Sequence, residues 1–421
     1  MRTLLAGLLF FVLGATTAFV ILSRTGVPMP AVATASPDSA RSAWTQFAER
    51  MALLGDRVQG ADFPSGEADR VRLLRHLVGV MIEGLQWHVD HGSAAHPTLM
   101  ASNGRFQQWG APNADNVYYR AHVDPHFDYR LTGDLSGIDH VAISLSTGDM
   151  HMGAFETSRN VDVPELAPDR EGRFSLAISS ERARGPWLAM EPDHRILSVR
   201  IYLDDWEWDR APELFLERVG AEGESPPEFT DVELARRITR AGDWIEANIL
   251  FWNAWLNQRL VFIPDNASLL AAKVDGGSDD LFYGGIAYEL EPDEALMIEG
   301  PMAEGQYWSF QRAALGSFDT NYTDHLTSLN RLQVRSHGEG RFVLVVSHRD
   351  PGVANWIDTE GQARGLIAHR WIGVRERPDL ETRKIRFDEL GDVLPSDVVR
   401  ITSSERRKQI AVRQKQSALR P

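Results

Sequence analysis

The stretch Asn116-Val-Tyr-Tyr-Arg-Ala-His-Val123 decides the fold class, because its pattern repeats every two residues. A period of two places alternate side chains on opposite faces of a strand, whereas a helix repeats about every 3.6 residues. Further short β-prone runs, bounded by Gly, Pro or Asp, are Phe127–Leu131, His140–Leu145, Arg173–Ile178, Ile196–Leu203 and Leu214–Val219. No helical crossovers separate these runs, which favours an antiparallel β-sandwich or barrel over a parallel sheet.

Helical patterns flank this β region on both sides. Apolar residues at three- and four-residue steps predict two early helices. Their stripes are Trp44, Phe47, Met51, Leu54 and Val58, and then Val71, Leu74, Val78, Met81, Leu85 and Val89. After the turn-rich segment 221–227, Thr230 and Glu233 form a capping-box pattern that opens a third helix. Aromatic residues on more than one of its faces predict that this helix lies between two layers.

The second half of the chain repeats the first half in outline, a helix followed by strands. Its predicted strands are Gly285–Leu290, Ala295–Ile298, Tyr307–Arg312, Leu332–Arg335, Arg341–Ser347 and Leu366–Ile372. We therefore predict an α+β, mainly β protein of antiparallel β-sandwiches with accessory helices. Residues 36–225 are expected to form a first domain and residues 226–403 a second.

The first 35 residues have the character of a membrane-targeting segment. Twenty uncharged residues run from Leu4 to Ser23, close to the ~20 that a membrane-spanning helix needs. A small-residue pattern before Ser36 instead fits a cleaved signal peptide. The expected location is therefore extracytoplasmic, either anchored to the inner membrane or periplasmic or secreted after cleavage.

The last 18 residues, 404–421, hold six basic residues against the single acid Glu405. We expect a solvated, disordered basic tail, since this is the common fate of a charged terminus. The alternative is that the tail contacts anionic lipid or the acidic body of the protein.

Composition excludes several classes of function. The net charge of −15 repels phosphate backbones, so nucleic acid is not an expected partner. The absence of cysteine excludes disulfides, thiolate metal sites and a cysteine nucleophile. The sequence leaves any cofactor unidentified, because the nucleotide-binding, zinc-protease and serine-hydrolase motifs are all missing.

One polar constellation lies on the first predicted strand. Alternate residues share one of its faces, namely Asn116, Tyr118, Arg120, His122 and Asp124. His122, Asp124 and His126 are candidate metal ligands, because imidazole nitrogen and carboxylate oxygen suit zinc, manganese or iron. The alternative is a hydrogen-bonded strand end. His122 and Asp124 are also a candidate catalytic base and its orienting carboxylate.

A second constellation lies in the second half. Its members are Tyr307, Trp308, His325, His348, Asn355, Trp356, Asp358 and Arg370. Convergent polar groups beside aromatic rings are typical of a small-ligand pocket. Alternatively, Asn355 and Asp358 cap backbone groups while Trp356 plugs the end of the sandwich. His348 and Asp350 form the second candidate catalytic pair.

The same region carries a family resemblance. The run SHRDPGVANWIDTEGQARGLIAHRW, which ends at Trp371, and the earlier run PDEALMIEGPMAEGQYWSFQ are long and irregular. The stretch from Gly284 to Gly373 resembles the bacterial domain-of-unknown-function family numbered 1214, and a weaker resemblance covers most of the chain after Ala43. The resemblance implies a jelly-roll-like β-sandwich, often exported, with no settled activity.

Specific positions match that family's motif, although no catalytic role comes with them. They are Tyr307, Trp308, His348, Asp350, Asn355, Trp356, Asp358 and Arg370. Ile357 stands where relatives often have leucine, a conservative difference.

Three functions fit these observations. The first is a membrane-anchored extracytoplasmic protein that binds a small polar or carbohydrate-like ligand around Trp356, His348 and Arg370. The second is a hydrolase or lyase with a His/Asp site, working with or without a metal ion. The third is an envelope scaffold that binds another protein.

Overall fold

The computed structural model describes residues 37–421 except 261, 262, 264, 274–280, 339 and 377. The predicted anchor or signal segment therefore lies outside the described residues. Within the described ranges, no helix combines the length and the apolarity that a bilayer span requires.

Two helices open the described chain. Helix α1 (Ala40–Arg57) begins where the Ser39 side chain accepts a hydrogen bond from the Ser42 backbone N–H. Helix α2 (Glu67–Leu85) continues into a π-helical turn, Gln86–Asp90. Both helices lie where the apolar periodicity predicted them.

The first half then forms eight strands and a short helix. They are β1 (Met100–Ser102), β2 (Asn116–His122), β3 (Tyr129–Asp134), β4 (Val141–Ser146), α3 (Val163–Leu166), β5 (Arg173–Ser179), β6 (Trp187–Ala189), β7 (Ile196–Tyr202) and β8 (Leu214–Arg218). A 3₁₀ turn, Met150–Met152, follows β4.

The second half begins with the 30-residue helix α4 (Asp231–Leu260). Its strands are β9 (Ser268–Lys273), β10 (Leu281–Glu289), β11 (Glu294–Pro301), β12 (Tyr307–Ala313), β13 (Ser328–Asn330), β14 (Arg341–Ser347), β15 (Trp356–Asp358), β16 (Arg364–Ile372) and β17 (Glu381–Arg386). A 3₁₀ turn Phe387–Glu389, helix α5 (Leu390–Val393) and helix α6 (Ser403–Leu419) complete it.

The strands form four sheets that pack in two pairs. Sheet I has the order β1-β2-β7-β4, sheet II β6-β5-β3-β8, sheet III β13-β12-β16-β10-β9 and sheet IV β15-β14-β11-β17. Sheets I and II share one apolar core, and sheets III and IV share another. The α+β prediction is confirmed, with antiparallel pairing except for β5 with β6 and β14 with β15.

The two halves repeat each other strand by strand. The order β6-β5-β3-β8 in sheet II matches β15-β14-β11-β17 in sheet IV, and β1-β2-β7-β4 in sheet I matches β9-β10-β16-β12 in sheet III. Strand β13 is the one addition among the described strands. The outline repeat read from the sequence is therefore a repeat of topology.

Sheets I and III face each other across the segment that precedes β2. Asn113 donates to the hydroxyl of Tyr307 at 2.8 Å, and the Tyr202 and Tyr307 rings lie 5.0 Å apart. Helix α4 packs with α1 and α2 through its first half and against sheet III through its second half. The long helix thus lies between layers, as its aromatic faces predicted.

Two predictions about local structure are wrong. Leu332–Arg335 is a turn instead of a strand, because the Asn330 side chain accepts from Leu332 N at 3.0 Å and from Gln333 N at 3.3 Å. On α2, the buried stripe is Leu73, Leu77, Val80, Glu83 and Trp87. The adjacent stripe that the sequence favoured includes Val71, which is 66% exposed.

The basic tail also differs from its prediction, because it forms the helix α6 instead of a disordered terminus. Thr402 and Glu405 form a complete capping box at its start. Arg413, 1% exposed, donates to the Ser328 hydroxyl at 3.0 Å and lies over Trp206 at 4.7 Å. The tail is therefore part of the folded body.

We predict that Arg413→Met lowers the free energy of unfolding by roughly 2–4 kcal/mol, because buried acceptors at Ser328 and Tyr322 lose their donor. Chemical denaturation measures the change. Arg407→Met, on the exposed face of the same helix, is the control. Equal effects of the two substitutions would contradict the docked helix.

Candidate functional site

Strand alternation divides the predicted second constellation into two groups. Trp308 and Trp371 are directly paired across β12 and β16, and their stacked rings lie in the core between sheets III and IV. Tyr307 and Arg370 lie on the opposite face, toward sheet I. The set therefore does not form one surface.

The loop around Asn355 is closed by its own hydrogen bonds. The Asn355 amide donates to the carbonyls of Arg335 at 2.7 Å and Val343 at 3.0 Å, and its oxygen accepts from Arg335 N at 2.7 Å. The indole of Trp356 donates to the Ser347 carbonyl at 3.3 Å. The contacts of Asn355 and Trp356 thus match the capping and plugging alternative.

The candidate catalytic pair His348 and Asp350 is not brought together. The ring nitrogens of His348 contact the Thr359 hydroxyl at 2.6 Å and the Leu290 carbonyl at 3.2 Å. Asp350 instead pairs with Arg406 of α6 at 3.0 Å. The same guanidinium lies 4.9 Å from the Trp356 ring, so the basic helix covers this region.

His325 and Asp358 form a separate pair near the surface. The Nδ1 atom of His325 lies 2.8 Å from a carboxylate oxygen of Asp358. This hydrogen bond raises the pKa of His325. Both groups are thereby engaged with each other.

The candidate metal ligands are also occupied with protein partners. His122 stacks on Trp87 with ring centroids 3.8 Å apart, and burial lowers the pKa of His122 to about 4. His126, exposed beyond the strand end, contacts Asp124 at 2.6 Å. Across the part of the chain that the structure describes, no three His, Asp or Glu side chains are grouped to hold a metal ion.

An aromatic-lined cavity lies where the two predicted constellations meet. We call it the inter-sheet cavity; it lies between sheet I, sheet III and α4 and measures about 260 Å³. Asn116, Tyr118 and Arg120 reach it from the predicted face of β2, and Arg370 reaches it from β16. Its aromatic lining consists of Trp109, Tyr118, Tyr119, Phe155, Tyr202, Trp252, Trp255 and Tyr283.

One region of the cavity carries positive charge that is not paired with a carboxylate of the described residues. Arg370 is only 6% exposed, donates to the Ala111 carbonyl at 2.8 Å and lies over the Tyr283 ring at 5.0 Å. Its Nη1 atom and the Tyr283 hydroxyl are buried without hydrogen-bond partners. Neither Arg370 nor Arg200, which also lines the cavity, forms a salt bridge with any described carboxylate.

Another region of the same cavity is internally neutralised. Arg120 pairs with Asp149 at 2.5 Å, and Asp149 also accepts from the indole of Trp244 at 2.8 Å. The Arg120 guanidinium lies 4.2 Å from the centre of the Trp87 ring. These contacts satisfy the charge of Arg120 within the protein.

A buried glutamate lies behind this region. Glu83 of α2 accepts hydrogen bonds from Ser102 and, at 3.1 Å, from the indole of Trp109, and both donors line the cavity. Burial raises the pKa of Glu83 to about 7. Sequence reasoning missed Glu83; the available signal was its position three residues after Val80 on the buried stripe of α2.

We predict that Glu83→Gln reduces the pH dependence of stability. A glutamate with a normal pKa when unfolded and about 7 when folded favours folding at low pH, and this contribution is lost as pH rises from about 4.5 through 7. The contribution of Glu83 to the free energy of unfolding changes by roughly 3 kcal/mol over this range. The melting temperature of wild type should fall relative to that of E83Q across this range.

The control for this measurement is Glu49→Gln on the exposed face of α1. If the melting temperatures of wild type and E83Q changed in parallel with pH, Glu83 would not titrate in this range.

Comparisons with known proteins give structural neighbours. No family model matches the chain, and no curated protein matches it. The chain is similar in structure to an uncharacterized protein from Burkholderia cenocepacia, with 25% sequence identity and a TM-score of 0.78. The match covers 83% of this chain and 99% of that chain. The VPA0106 protein from Vibrio parahaemolyticus gives 10% identity and a TM-score of 0.41 over 74% and 99%. The first likeness supports the fold across most of the chain.

Proposed function

We propose that this protein binds a small organic anion in the inter-sheet cavity. The observation that carries the proposal is Arg370, a buried guanidinium on the cavity wall that has no carboxylate partner among the described residues. The anionic group would contact Arg370 and the Tyr283 hydroxyl, and the rest of the ligand would lie against aromatic rings.

The energetics of a buried charge support an anionic ligand. Removing an unpaired guanidinium from water costs several kcal/mol unless a counter-charge or hydrogen bonds compensate. The single bond from Arg370 to the Ala111 carbonyl leaves the Nη1 donor unused. A carboxylate would supply both the counter-charge and the missing acceptor.

The lining and the volume restrict the remainder of the ligand. Trp252 and Trp255 on α4 present apolar rings to the cavity, which favours a ring or short alkyl body over a strongly hydrated one. At about 260 Å³, the space is slightly below the ~300–1,000 Å³ typical of drug-sized ligand pockets. The ligand is therefore a small, partly apolar anion.

Three earlier expectations stand beside this proposal. We propose that the chain belongs to the unknown-function family numbered 1214 and that its sandwiches are jelly-roll variants, because early strands pair with late ones, β2 with β7 and β3 with β8. We also propose extracytoplasmic localisation, supported by the uncharged segment Leu4–Ser23.

An enzymatic function is the second candidate, and Glu83 favours it. A carboxyl with a pKa of about 7 can serve as a general acid or base at neutral pH. Its hydrogen bond from Ser102 connects it to the cavity wall. NMR would follow the conversion of a bound anion. Conversion by wild type and no conversion by E83Q would support a hydrolase or lyase.

We predict that Arg370→Gln weakens anion binding at least tenfold, about 1.4 kcal/mol. The probes are benzoate and hexanoate, with benzamide and hexanamide as their neutral counterparts. Binding is followed by calorimetry and by the rise in melting temperature. A carboxylate should stabilise wild type, and the matching amide should not.

Arg364→Gln, an exposed arginine on the same strand, is the matched control and should leave binding unchanged. Should R370Q fail to fold, Arg200→Gln at the half-buried cavity wall replaces it. Equal stabilisation by amides and carboxylates, or none by either, would exclude an anion site.

A further inference from the structure

We propose that a second cavity, independent of the first, binds a phosphate group. We call it the arginine cavity; it measures about 300 Å³ and lies beside α4, the π-helical turn and the end of β2. Its lining is His88, Gly92, Ala94, His122, Val123, Asp124, Arg195, Arg236, Arg237 and Arg240. It shares no lining residue with the inter-sheet cavity.

The charges around this cavity do not balance. Glu233 pairs with both Arg236, at 2.6 Å, and Arg237, at 2.7 Å. Asp124 is the one acidic residue in the described lining. Four arginines against these two carboxylates leave an excess of two positive charges, in a chain whose net charge is −15.

The contacts of the arginines show which guanidinium charges remain available to a ligand. Arg237 donates to the Val89 carbonyl at 2.8 Å, and Arg195 donates to the carbonyls of Pro192 at 3.0 Å and His194 at 2.6 Å. These bonds position the guanidinium groups without neutralising them. Arg240 has no hydrogen bond or ion pair with any described residue, and partial desolvation and the like charge of Arg236 lower its pKa.

The remaining polar groups leave this excess in place. Asp124 accepts from the His126 backbone N–H at 2.9 Å and contacts its ring at 2.6 Å, so its nearest partner is His126 instead of an arginine. Burial lowers the pKa of His88 and lowers that of His122 to about 4, so both rings are neutral at pH 7. The Nε2 atom of His88 has no hydrogen-bond partner.

A phosphate group matches this environment better than a carboxylate. Near neutral pH a phosphate monoester carries a charge of about −1.5 to −2 and three acceptor oxygens, which corresponds to the excess of two positive charges. Guanidinium groups bind such oxygens in a paired geometry. A single carboxylate would leave one positive charge uncompensated.

The test uses the full-length protein with inorganic phosphate, glycerol 3-phosphate, and acetate, all at constant ionic strength. Calorimetry should show that at least one phosphate binds and that acetate does not. Preference for the ester would identify a phosphorylated metabolite, and preference for inorganic phosphate a free ion. Either result supports the site.

Arg240→Gln should weaken phosphate binding about five- to tenfold, as expected when one charge-assisted contact is lost, and Arg240→Lys should restore part of it. Because Arg240 is exposed and forms no internal bond, these variants should fold normally. The control is Arg407→Gln on the exposed face of α6. The site would be overturned if no phosphate bound more tightly than acetate, or if R240Q and R407Q weakened binding equally.

Discussion

The arrangement of the two sandwiches depends on a buried carboxylate at their contact. Asp115, 1% exposed, accepts from the hydroxyl of Tyr307 at 2.6 Å and from the indole of Trp206 at 2.6 Å. Gln311 bonds the neighbouring backbone at Pro112 and Ala114, both at 2.8 Å. These directional bonds fix the spacing of sheets I and III through one segment, and the inter-sheet cavity lies beside that segment.

The last helix supplies positive charge to the same region. Arg420 donates to the carbonyls of Ala114 at 2.6 Å and Leu203 at 3.0 Å and lies over Trp206 at 4.1 Å. Arg413 approaches Trp206 from α6 as well. An acidic body and a basic terminal segment are therefore complementary parts of one fold, and Arg413 and Arg420 interact electrostatically with the buried Asp115.

The two candidate ligand sites use positive charge in different ways. In the inter-sheet cavity, the charge of Arg120 is matched by Asp149, while Arg370 lacks a described carboxylate. In the arginine cavity, several guanidinium groups share too few acids. Trp87 lies between the two sites, with Arg120 over its ring at 4.2 Å and His122 stacked at 3.8 Å. Strand β2 thus contributes to both cavities, with Arg120 lining the inter-sheet cavity and His122 the arginine cavity.

The sequence alone predicted the local features that backbone geometry controls. The period-two pattern located most of the longer strands and placed Asn116, Tyr118 and Arg120 on one face. The capping-box pattern located the start of α4, where the Thr230 hydroxyl accepts from the Glu233 backbone N–H. Short edge strands such as β6 and β15 gave too few residues for a pattern.

Tertiary structure decided which of two apolar stripes on α2 is buried, because that depends on where α4 packs. It also decided that Arg406 covers Trp356 and that Arg370 meets no described carboxylate. These features involve residues that are far apart in the chain, so they depend on how the sheets and helices pack together. Local sequence patterns record only the geometry of each separate element.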